Sequence, residues 1–249
     1  MNARRIGLAL AVAVATLAVS GCNRQQQRAE QAAAQAAATE DAAKRGESAF
    51  DVAVTNQNWP LAKAQADVLM QNYPKSQAAA RVRAQYDAVK ARAEAEREQA
   101  RTAALWTYNR VAVAGKGKAG GTQLSASIDA KDDVDVDGSG AKPVQLIFRD
   151  HPAWGRSAYL VLQSGDFNCY GGCRLKVKVD DAPAKTMAGS RPKTDEAIAM
   201  FVEDEKALWR KARSAKKTLA ITFPVKAGGT RTAVFETAGV DASQLPRWH

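Results

Sequence analysis

Cys169-Tyr170-Gly171-Gly172-Cys173-Arg174-Leu175-Lys176-Val177-Lys178-Val179 is the stretch that decides the fold of the second half of the chain. From Arg174 to Val179 apolar and basic residues alternate, which places leucine and valine on one face of a strand and lysine on the other. This pattern is typical of an antiparallel strand that covers a core on one side and meets water on the other. Because the two glycines before the strand allow a tight turn, the stretch predicts a hairpin.

Seven further runs between residues 105 and 249 have the composition of strands, with β-branched and aromatic residues bounded by glycine-rich turns. They are Trp106–Ala114, Gln123–Ile128, Val144–Phe148, Ala158–Gln163, Ala197–Val202, Leu219–Phe223 and Arg231–Glu236. A helix is predicted at Asp204–Ala215, because its acidic residues come first and its basic residues last, as the helix dipole favours. Ala207, Leu208 and Ala212 are expected to face the sheet. The region 105–249 is therefore predicted to be an antiparallel β-sandwich or curled sheet with one covering helix.

Residues 41–104 are alanine-rich and are predicted to be helical, which makes the chain α+β. Asn58-Trp59-Pro60 separates a first helix from a second, and Asn72-Tyr73-Pro74 ends the second, since proline suits only the first turn of a helix. Ser76 is expected to cap a third helix. The pattern N-W-P-x-A followed by L-x-x-x-Y-P-x-S-x-A resembles a tetratricopeptide-type helical hairpin. The alternative is an alanine-rich helical spacer.

The apolar run Ile6–Ala18 follows two arginines and has the length of a signal-peptide core, which is too short to span a bilayer. It leads into Val19-Ser20-Gly21-Cys22, which resembles the lipobox of bacterial lipoproteins. The resemblance implies that residues 1–21 are a signal peptide and that Cys22 receives acyl chains that anchor the protein to a membrane. Because Asn23 replaces the aspartate that often retains such proteins in the inner membrane, we expect the outer membrane, facing the periplasm. The alternative is an ordinary secretory signal.

Residues 22–40 are rich in glutamine and alanine and contain no large apolar side chain, so they are predicted to form a tether without a core. Cys169 and Cys173 are the cysteines that remain, in an oxidising compartment. Their spacing predicts a disulfide that clips the hairpin and contributes only about 2 kcal/mol, because the closed loop is short. A redox-active pair, which usually has C-x-x-C spacing, and a metal site, which needs further ligands, are the alternatives.

The order of parts in residues 106–240 resembles a group of secreted bacterial β-domains that includes the type VI secretion-associated TagO-like and the invasion-associated locus B-like proteins. The features in common are a Ser-x-Ser-x-Asp strand at 125–129, an x-Leu-x-Leu strand at 159–162, the cysteine-bearing hairpin, the basic strand, a helix and a closing pair of strands. The resemblance implies an accessory role in the envelope or in export, and it carries no catalytic residue.

Asp133-Val134-Asp135-Val136-Asp137-Gly138 has the opening of an EF-hand calcium loop, D-x-D-x-D-G. The twelfth position is Val144, where such a loop needs glutamate, so no metal or cofactor is expected. Calcium bound by Asp133, Asp135 and Asp137 is the alternative to an exposed acidic hairpin.

Trp154 and Arg156 are the first candidates for partner binding, because exposed tryptophan and arginine are common anchors of interfaces. Arg210, Lys211 and Arg213 belong to the densest basic run of the sequence and are further candidates. The alternative is a solvated helix end, which the helix dipole also favours.

The sequence does not predict an enzyme. His151 is one of two histidines, is interpreted as an exposed loop residue, and cannot by itself form a catalytic triad or a multi-histidine metal centre. Asp150 and Asp166 could be paired carboxylates for glycan hydrolysis, but they lie in turn-like sequence where aspartate is expected anyway. No nucleophile elbow, zinc-protease motif or phosphate-binding loop is present in the sequence.

The net charge of +10 favours acidic partners. Nucleic acid is not expected behind a lipoprotein signal, whereas the membrane and a protein partner are, with an anionic envelope polymer as an alternative. The predicted function is that of a non-enzymatic, lipid-anchored envelope protein that binds a protein partner or supports an envelope or secretion assembly. The alternative is a ligand- or calcium-binding β-domain that acts on cell-wall glycan.

Overall fold

The computed structural model describes residues 12–113, 120–192 and 198–248, with side chains from Asn23 onward. The amino-terminal part of the predicted signal peptide lies outside the described residues, and so does the side chain of Cys22. The fold is α+β, as predicted, with helices followed by an antiparallel sheet and one further helix. The chain divides into two compact units, residues 1–97 and 98–249.

Four α-helices are present in the described residues. They are α1 (Val12–Thr55), α2 (Trp59–Asn72), α3 (Gln77–Ala103) and α4 (Glu205–Ser214). Within the described ranges, none of them combines the length and the apolar character that crossing a membrane requires.

Helices α1, α2 and α3 of the first unit pack around a small core whose largest member is Phe50. The breaks between them lie at the predicted positions. Asn58 caps α2, since its side-chain oxygen accepts a hydrogen bond of 3.2 Å from the Leu61 N–H. Ser76 caps α3 in the same way, accepting a bond of 3.0 Å from the Ala79 N–H. The proline-bearing motifs therefore end and begin helices as expected.

The predicted tether is part of α1, because alanine and glutamine favour helix. Residues 23–39 are all exposed, so they contribute no side chain to the core, as predicted. Glu40 follows them, and its two carboxylate oxygens accept hydrogen bonds of 3.0 and 3.1 Å from the N–H groups of Gln77 and Ala78. Glu40 thus satisfies the first turn of α3.

Among the described residues of the second unit, nine strands form one sheet. They are β1 (Trp106–Val113), β2 (Gly121–Asp129), β3 (Val144–His151), β4 (Gly155–Leu162), β5 (Cys173–Val179), β6 (Lys185–Ser190), β7 (Ala199–Val202), β8 (Leu219–Pro224) and β9 (Thr230–Phe235). The order across the sheet is β1-β2-β3-β4-β7-β6-β5-β8-β9, and all neighbouring strands are antiparallel.

The sheet is curled around a single core. The N–H of Lys131, just after β2, donates a hydrogen bond of 2.7 Å to the carbonyl of Val234 in β9, so two distant parts of the sheet approach each other. The inward-facing residues of β5 are Leu175 and Val177, both buried, while Lys176 and Lys178 on the other face are exposed. The alternation that predicted this strand is therefore confirmed.

Strand β6 was not predicted. Its sequence, Lys185–Ser190, contains one large apolar residue, Met187, and a glycine, so it lacks the composition of a strand. It forms because β5 and β7 lie on either side and supply hydrogen-bond partners. The predicted end of β1 at Ala114 and the predicted start of β7 at Ala197 fall outside the described residues.

Helix α4 packs on the sheet through the three predicted side chains and also through Trp209. Leu208 and Ala212 are buried and Ala207 is half-buried, as expected. Trp209 is also buried, with its ring centroid 4.8 Å from that of Phe148 in β3. This tryptophan gives α4 a larger contact with the core than alanine and leucine alone could provide.

Asp180 fixes the connection between α4 and β8. Its carboxylate accepts three backbone hydrogen bonds of 2.8 to 2.9 Å, from the N–H groups of Lys216, Lys217 and Thr218. The same bonds hold the pKa of the Asp180 carboxyl below its usual value. Asp180 also has a φ of 46°, a left-handed backbone conformation in which both aspartate and asparagine are enriched.

Asp180→Asn is expected to lower the free energy of unfolding by about 1–2 kcal/mol at neutral pH, because one charged acceptor is lost. Since the folded pKa is lowered, the stabilisation by Asp180 is present above the unfolded pKa and is lost as the pH falls through the folded value. Urea unfolding between neutral and acidic pH should therefore show a weaker acid dependence for the variant. Asp181→Asn is the matched control, because Asp181 is exposed and its side chain has no hydrogen-bond partner among the described residues. Equal changes in the free energy of unfolding for Asp180→Asn and Asp181→Asn would contradict the role of Asp180 in fixing the connection between α4 and β8.

Candidate functional site

Cys169 and Cys173 form the predicted disulfide, with their Cα atoms 4.8 Å apart. Gly171 and Gly172 have φ values of 78° and 108°, and this left-handed backbone turns the chain back between the two cysteines. Cys169 is fully buried in the core of the second unit. The bond therefore clips the start of β5 to the loop before it.

Trp154 is the most exposed large apolar side chain among the described residues, at 68% of its surface. It lies on the turn between β3 and β4, and its ring stacks on that of His151 with 4.0 Å between centroids and 15° between planes. His151 Nδ1 accepts hydrogen bonds from the N–H groups of Ala153, at 3.0 Å, and Trp154, at 3.3 Å. The prediction that His151 is an exposed loop residue is wrong, because it ends β3 and lies beneath the tryptophan, only 5% exposed.

Arg149 extends this cluster. Its guanidinium carbon lies 5.5 Å from the ring centroid of Trp154 and 5.4 Å from that of Tyr159. Both distances are within the range of cation–π attraction. The Tyr159 ring in turn lies 5.2 Å from that of Phe201 in β7. We call Arg149, Trp154, Tyr159 and Phe201 the aromatic surface.

Arg156 follows Trp154 by two residues but has a different role. Its Nη1 donates a hydrogen bond of 2.6 Å to the carbonyl of Arg247, and it lines a cavity of about 440 Å³ together with Asp150, Glu205 and Arg247. Arg247 also forms an ion pair with Asp150. The guanidinium of Arg156 thus helps to hold the carboxyl-terminal segment and is less available than Trp154.

Arg210, Lys211 and Arg213 lie in the second half of α4. Within the part of the chain that the structure describes, their side chains have no hydrogen-bond or ion-pair partner. Arg156 lines a cavity together with Glu205, which lies at the beginning of the same helix. Arg213 lies eight positions further along that helix, about 12 Å along its axis. Among the described residues, no hydrogen bond or ion pair joins the two groups of predicted partner-binding residues.

The segment Asp133–Gly138, here called the acidic loop, does not form a ligand set for a metal ion among the described residues. Asp135 accepts a hydrogen bond of 2.7 Å from the Gly138 N–H, and Asp137 accepts one of 2.9 Å from the Ser139 N–H. The side chain and the backbone N–H of Ser139 lower the pKa of the Asp137 carboxyl by hydrogen bonding. In the described residues, no group of three or more His, Cys, Asp or Glu side chains is placed to hold a metal ion, so Asp133, Asp135 and Asp137 are not brought together.

A cavity of about 540 Å³ lies where the acidic loop meets the loop after β4. We call it the Asp166 cavity; it is lined chiefly by Asp137, Ser164, Gly165, Asp166, Ile198 and Lys226. Sequence reasoning missed it, because its polar residues come from three separate turns. Asp166 lines this cavity and Asp150 lines a different one, and each carboxylate binds a different arginine, Arg191 and Arg247 respectively.

A scan against protein-family models found no match, and a search of the curated proteins found none. Among solved structures, the chain is similar to the crystal structure of invasion associated protein B from Bartonella henselae, with a TM-score of 0.35 and 17% sequence identity. The similar region covers 58% of this chain and 91% of that chain. A TM-score of this size does not establish a common fold, so no family membership follows.

Proposed function

We propose that the protein is a non-enzymatic, lipid-anchored component of the bacterial cell envelope whose β-domain binds a protein partner through the aromatic surface. The observation that carries this proposal is the 68% exposure of Trp154 on a turn that is held by a buried histidine. Tryptophan and arginine are the side chains that most often dominate the binding energy of protein interfaces.

The turn that carries Trp154 is fixed before any partner arrives. His151 stacks on one face of the indole and accepts two backbone hydrogen bonds of the same turn. A side chain that is already ordered loses less conformational entropy on binding, so more of its contact energy contributes to affinity. Arg149 beside it would favour a partner that offers an apolar pocket for the ring and a carboxylate for the guanidinium.

The lipid anchor and the non-enzymatic role are proposed from the sequence alone. Val19-Ser20-Gly21-Cys22 has all four positions of a lipobox. The resemblance to secreted envelope accessories over residues 106–240 carries no catalytic residue with it. The anchor would keep the β-domain at the periplasmic side of a membrane, where it would meet partners of the envelope or of a secretion assembly.

Trp154→Ala is expected to reduce recovery of the partner at least about tenfold, because truncation of a central tryptophan commonly costs 2 kcal/mol or more. The measurement is affinity purification from crosslinked cells, quantified by mass spectrometry against the wild-type chain. Tyr170→Ala is the matched control, since Tyr170 is 66% exposed on the disulfide turn and lies outside the aromatic surface. Thermal melts of both variants establish that the fold is intact.

Two results would overturn the proposal. The first is equal recovery of the partner with Trp154→Ala and with the wild-type chain. The second is recovery of cell-wall fragments with no protein partner, which would favour the glycan-directed alternative instead.

A further inference from the structure

We propose that a cavity bordered by three lysines, beside the start of β8, binds the phosphate group of an anionic ligand. The inference goes beyond the proposed partner binding and does not depend on it, because it uses other residues. The cavity has a volume of about 460 Å³, within the range that is usual for small-molecule sites. We call it the lysine cavity; its described lining belongs to the second unit, and the members with a charge or a free hydroxyl group are Lys131, Lys216, Lys217, Thr218, Glu98 and Glu236.

Backbone hydrogen bonds hold the three lysines at the cavity. The Lys131 N–H, just after β2, donates to the carbonyl of Val234 at 2.7 Å. The N–H groups of Lys216 and Lys217, just before β8, donate to the Asp180 carboxylate at 2.9 and 2.8 Å. Two segments far apart in the chain therefore bring their lysines to one cavity before any ligand binds, and the side chains are not needed for this.

The two acids that line the lysine cavity are already paired with an arginine. Arg101 donates hydrogen bonds to both oxygens of the Glu98 carboxylate, at 2.7 and 2.8 Å. It also donates to both oxygens of the Glu236 carboxylate, at 2.8 and 3.3 Å. Because Arg101 occupies these acids, they do not form ion pairs with the lysines among the described residues.

The lysine cavity has an excess of positive charge. The ammonium groups of its three lysines have no hydrogen-bond or ion-pair partner in the part of the chain that the structure describes. Even when Asp180 is counted with the two glutamates, the lysines and Arg101 outnumber the acids. Asp132 and Asp133 follow Lys131 in the sequence but are not among the described residues that line the cavity. Since like charges repel, an anion in the cavity lowers the electrostatic energy.

The segments that the structure does not describe leave this balance in place. Among them, only residues 193–197 contain acidic side chains. Ile198, which follows that segment, lines the Asp166 cavity together with Lys226. Lys226 comes after β8 and Thr218 before it, so about 25 Å of extended chain separates the two. The described neighbours of those acids therefore lie at the other end of β8 from the lysine cavity.

A phosphate group matches these donors better than a carboxylate does. It has more oxygens that accept hydrogen bonds, and as a monoester it carries about two negative charges at neutral pH. Lysine is a common phosphate-binding residue. The half-buried Thr218 adds a hydroxyl group that can donate a hydrogen bond and has no partner elsewhere in the described ranges. A phospholipid headgroup and a soluble phosphomonoester share this chemistry.

Glycerol 3-phosphate is the probe for a soluble ligand. We would titrate it into the full chain, purified in a neutral detergent without phosphate buffer, and measure the heat of binding. The expected result is saturable binding at about millimolar concentration or below, and none for glycerol, which lacks the phosphate. Lys131→Gln/Lys217→Gln should weaken this binding at least about tenfold. Lys216 is kept, because it lies closest in sequence to the charge-bearing end of α4.

Lys176→Gln/Lys185→Gln is the matched control, since it removes the same charge from exposed positions of β5 and β6 outside the cavity. It should bind glycerol 3-phosphate within about twofold of the wild-type affinity. Equal weakening by the two double variants would overturn the inference, because the attraction would then come from the overall charge of the protein. The melting temperature of the cavity variant without ligand should not fall, since neither ammonium group has a partner to lose.

Vesicles test the lipid source of the phosphate. A Cys22→Ala chain keeps the cavity and lacks the proposed anchor, and it would be sedimented with phosphatidylcholine vesicles with and without phosphatidylglycerol. Sedimentation that requires phosphatidylglycerol and is lost in Lys131→Gln/Lys217→Gln identifies a lipid headgroup, whereas binding of glycerol 3-phosphate alone identifies a soluble ligand. Binding of neither would overturn the inference. Partner recovery should be unchanged in the cavity variant, so this failure is distinct from a failure of the role of Trp154.

Discussion

Replacement of Cys22 by alanine is expected to remove fatty-acid labelling from the protein almost completely and to release it from the membrane fraction. The lipobox resemblance implies that acyl chains are joined to this residue through its thiol and, after cleavage, through its amino group. Several chains hold a protein stably on a membrane, whereas a single chain gives only marginal binding. Alanine offers no thiol, so the first acylation and the steps that follow it cannot occur.

The measurement is metabolic labelling with an alkyne fatty acid, followed by separation of membrane and soluble fractions. A Cys169→Ala/Cys173→Ala double variant is the control, because it removes the disulfide and leaves Cys22 in place. It should keep the label even though its β-domain is less stable. A Cys22→Ala chain that still carries fatty acid and stays with the membrane would rule out the anchor, without affecting the proposed role of Trp154.

The alternation from Arg174 to Val179 was sufficient to predict β5, because one face of that strand is buried and the other is solvated. The order of strands could not be predicted from the same pattern. β4 pairs with β7 rather than with β5, and β5 pairs with β6 and β8. These pairings depend on contacts between segments far apart in the chain, which local periodicity does not encode. Strand β6 could not be predicted for the same reason, since it forms by pairing with β5 and β7 and its own composition is not that of a strand.

Of the aromatic surface, the sequence predicts only Trp154. A tryptophan in a turn-like segment indicates an exposed anchor, and Trp154 is indeed exposed. The groups that hold it, Arg149 and His151, looked like ordinary strand and loop residues, because their role arises from stacking after the turn has formed. The Asp166 cavity was hidden for a related reason, since Arg191 lies 25 residues from Asp166 in sequence.

Arg247→Ala is expected to lower the free energy of unfolding by about 1–3 kcal/mol, because the Arg247 side chain is 61% exposed and the main cost is the loss of hydrogen bonds to the buried Asp150 carboxylate. Asp150 is only 1% exposed, and its carboxylate accepts hydrogen bonds from two guanidinium nitrogens of Arg247, one of them, Nε, at 2.6 Å. Arg247→Lys should lower the free energy of unfolding by less, because lysine keeps the positive charge but cannot donate the two paired hydrogen bonds of a guanidinium. Asp150→Asn in the Arg247→Ala background should recover part of the loss, since the buried charge is then absent.

Urea unfolding at neutral pH of the wild type, Arg247→Ala, Asp150→Asn and the double variant measures the coupling of the pair as a double-mutant cycle, and Arg247→Lys is measured beside them. Arg213→Ala is the control for removing an arginine, since its side chain has no partner in the described ranges, and it should change the stability by less than about 0.5 kcal/mol. A loss below about 1 kcal/mol for Arg247→Ala would mean that the pair behaves as an exposed one. Because Asp150 lies between Arg149 and His151 in β3, the cycle also bears on function. Loss of the pair should loosen the turn that presents Trp154, so Arg247→Ala should weaken partner recovery while Arg213→Ala should not.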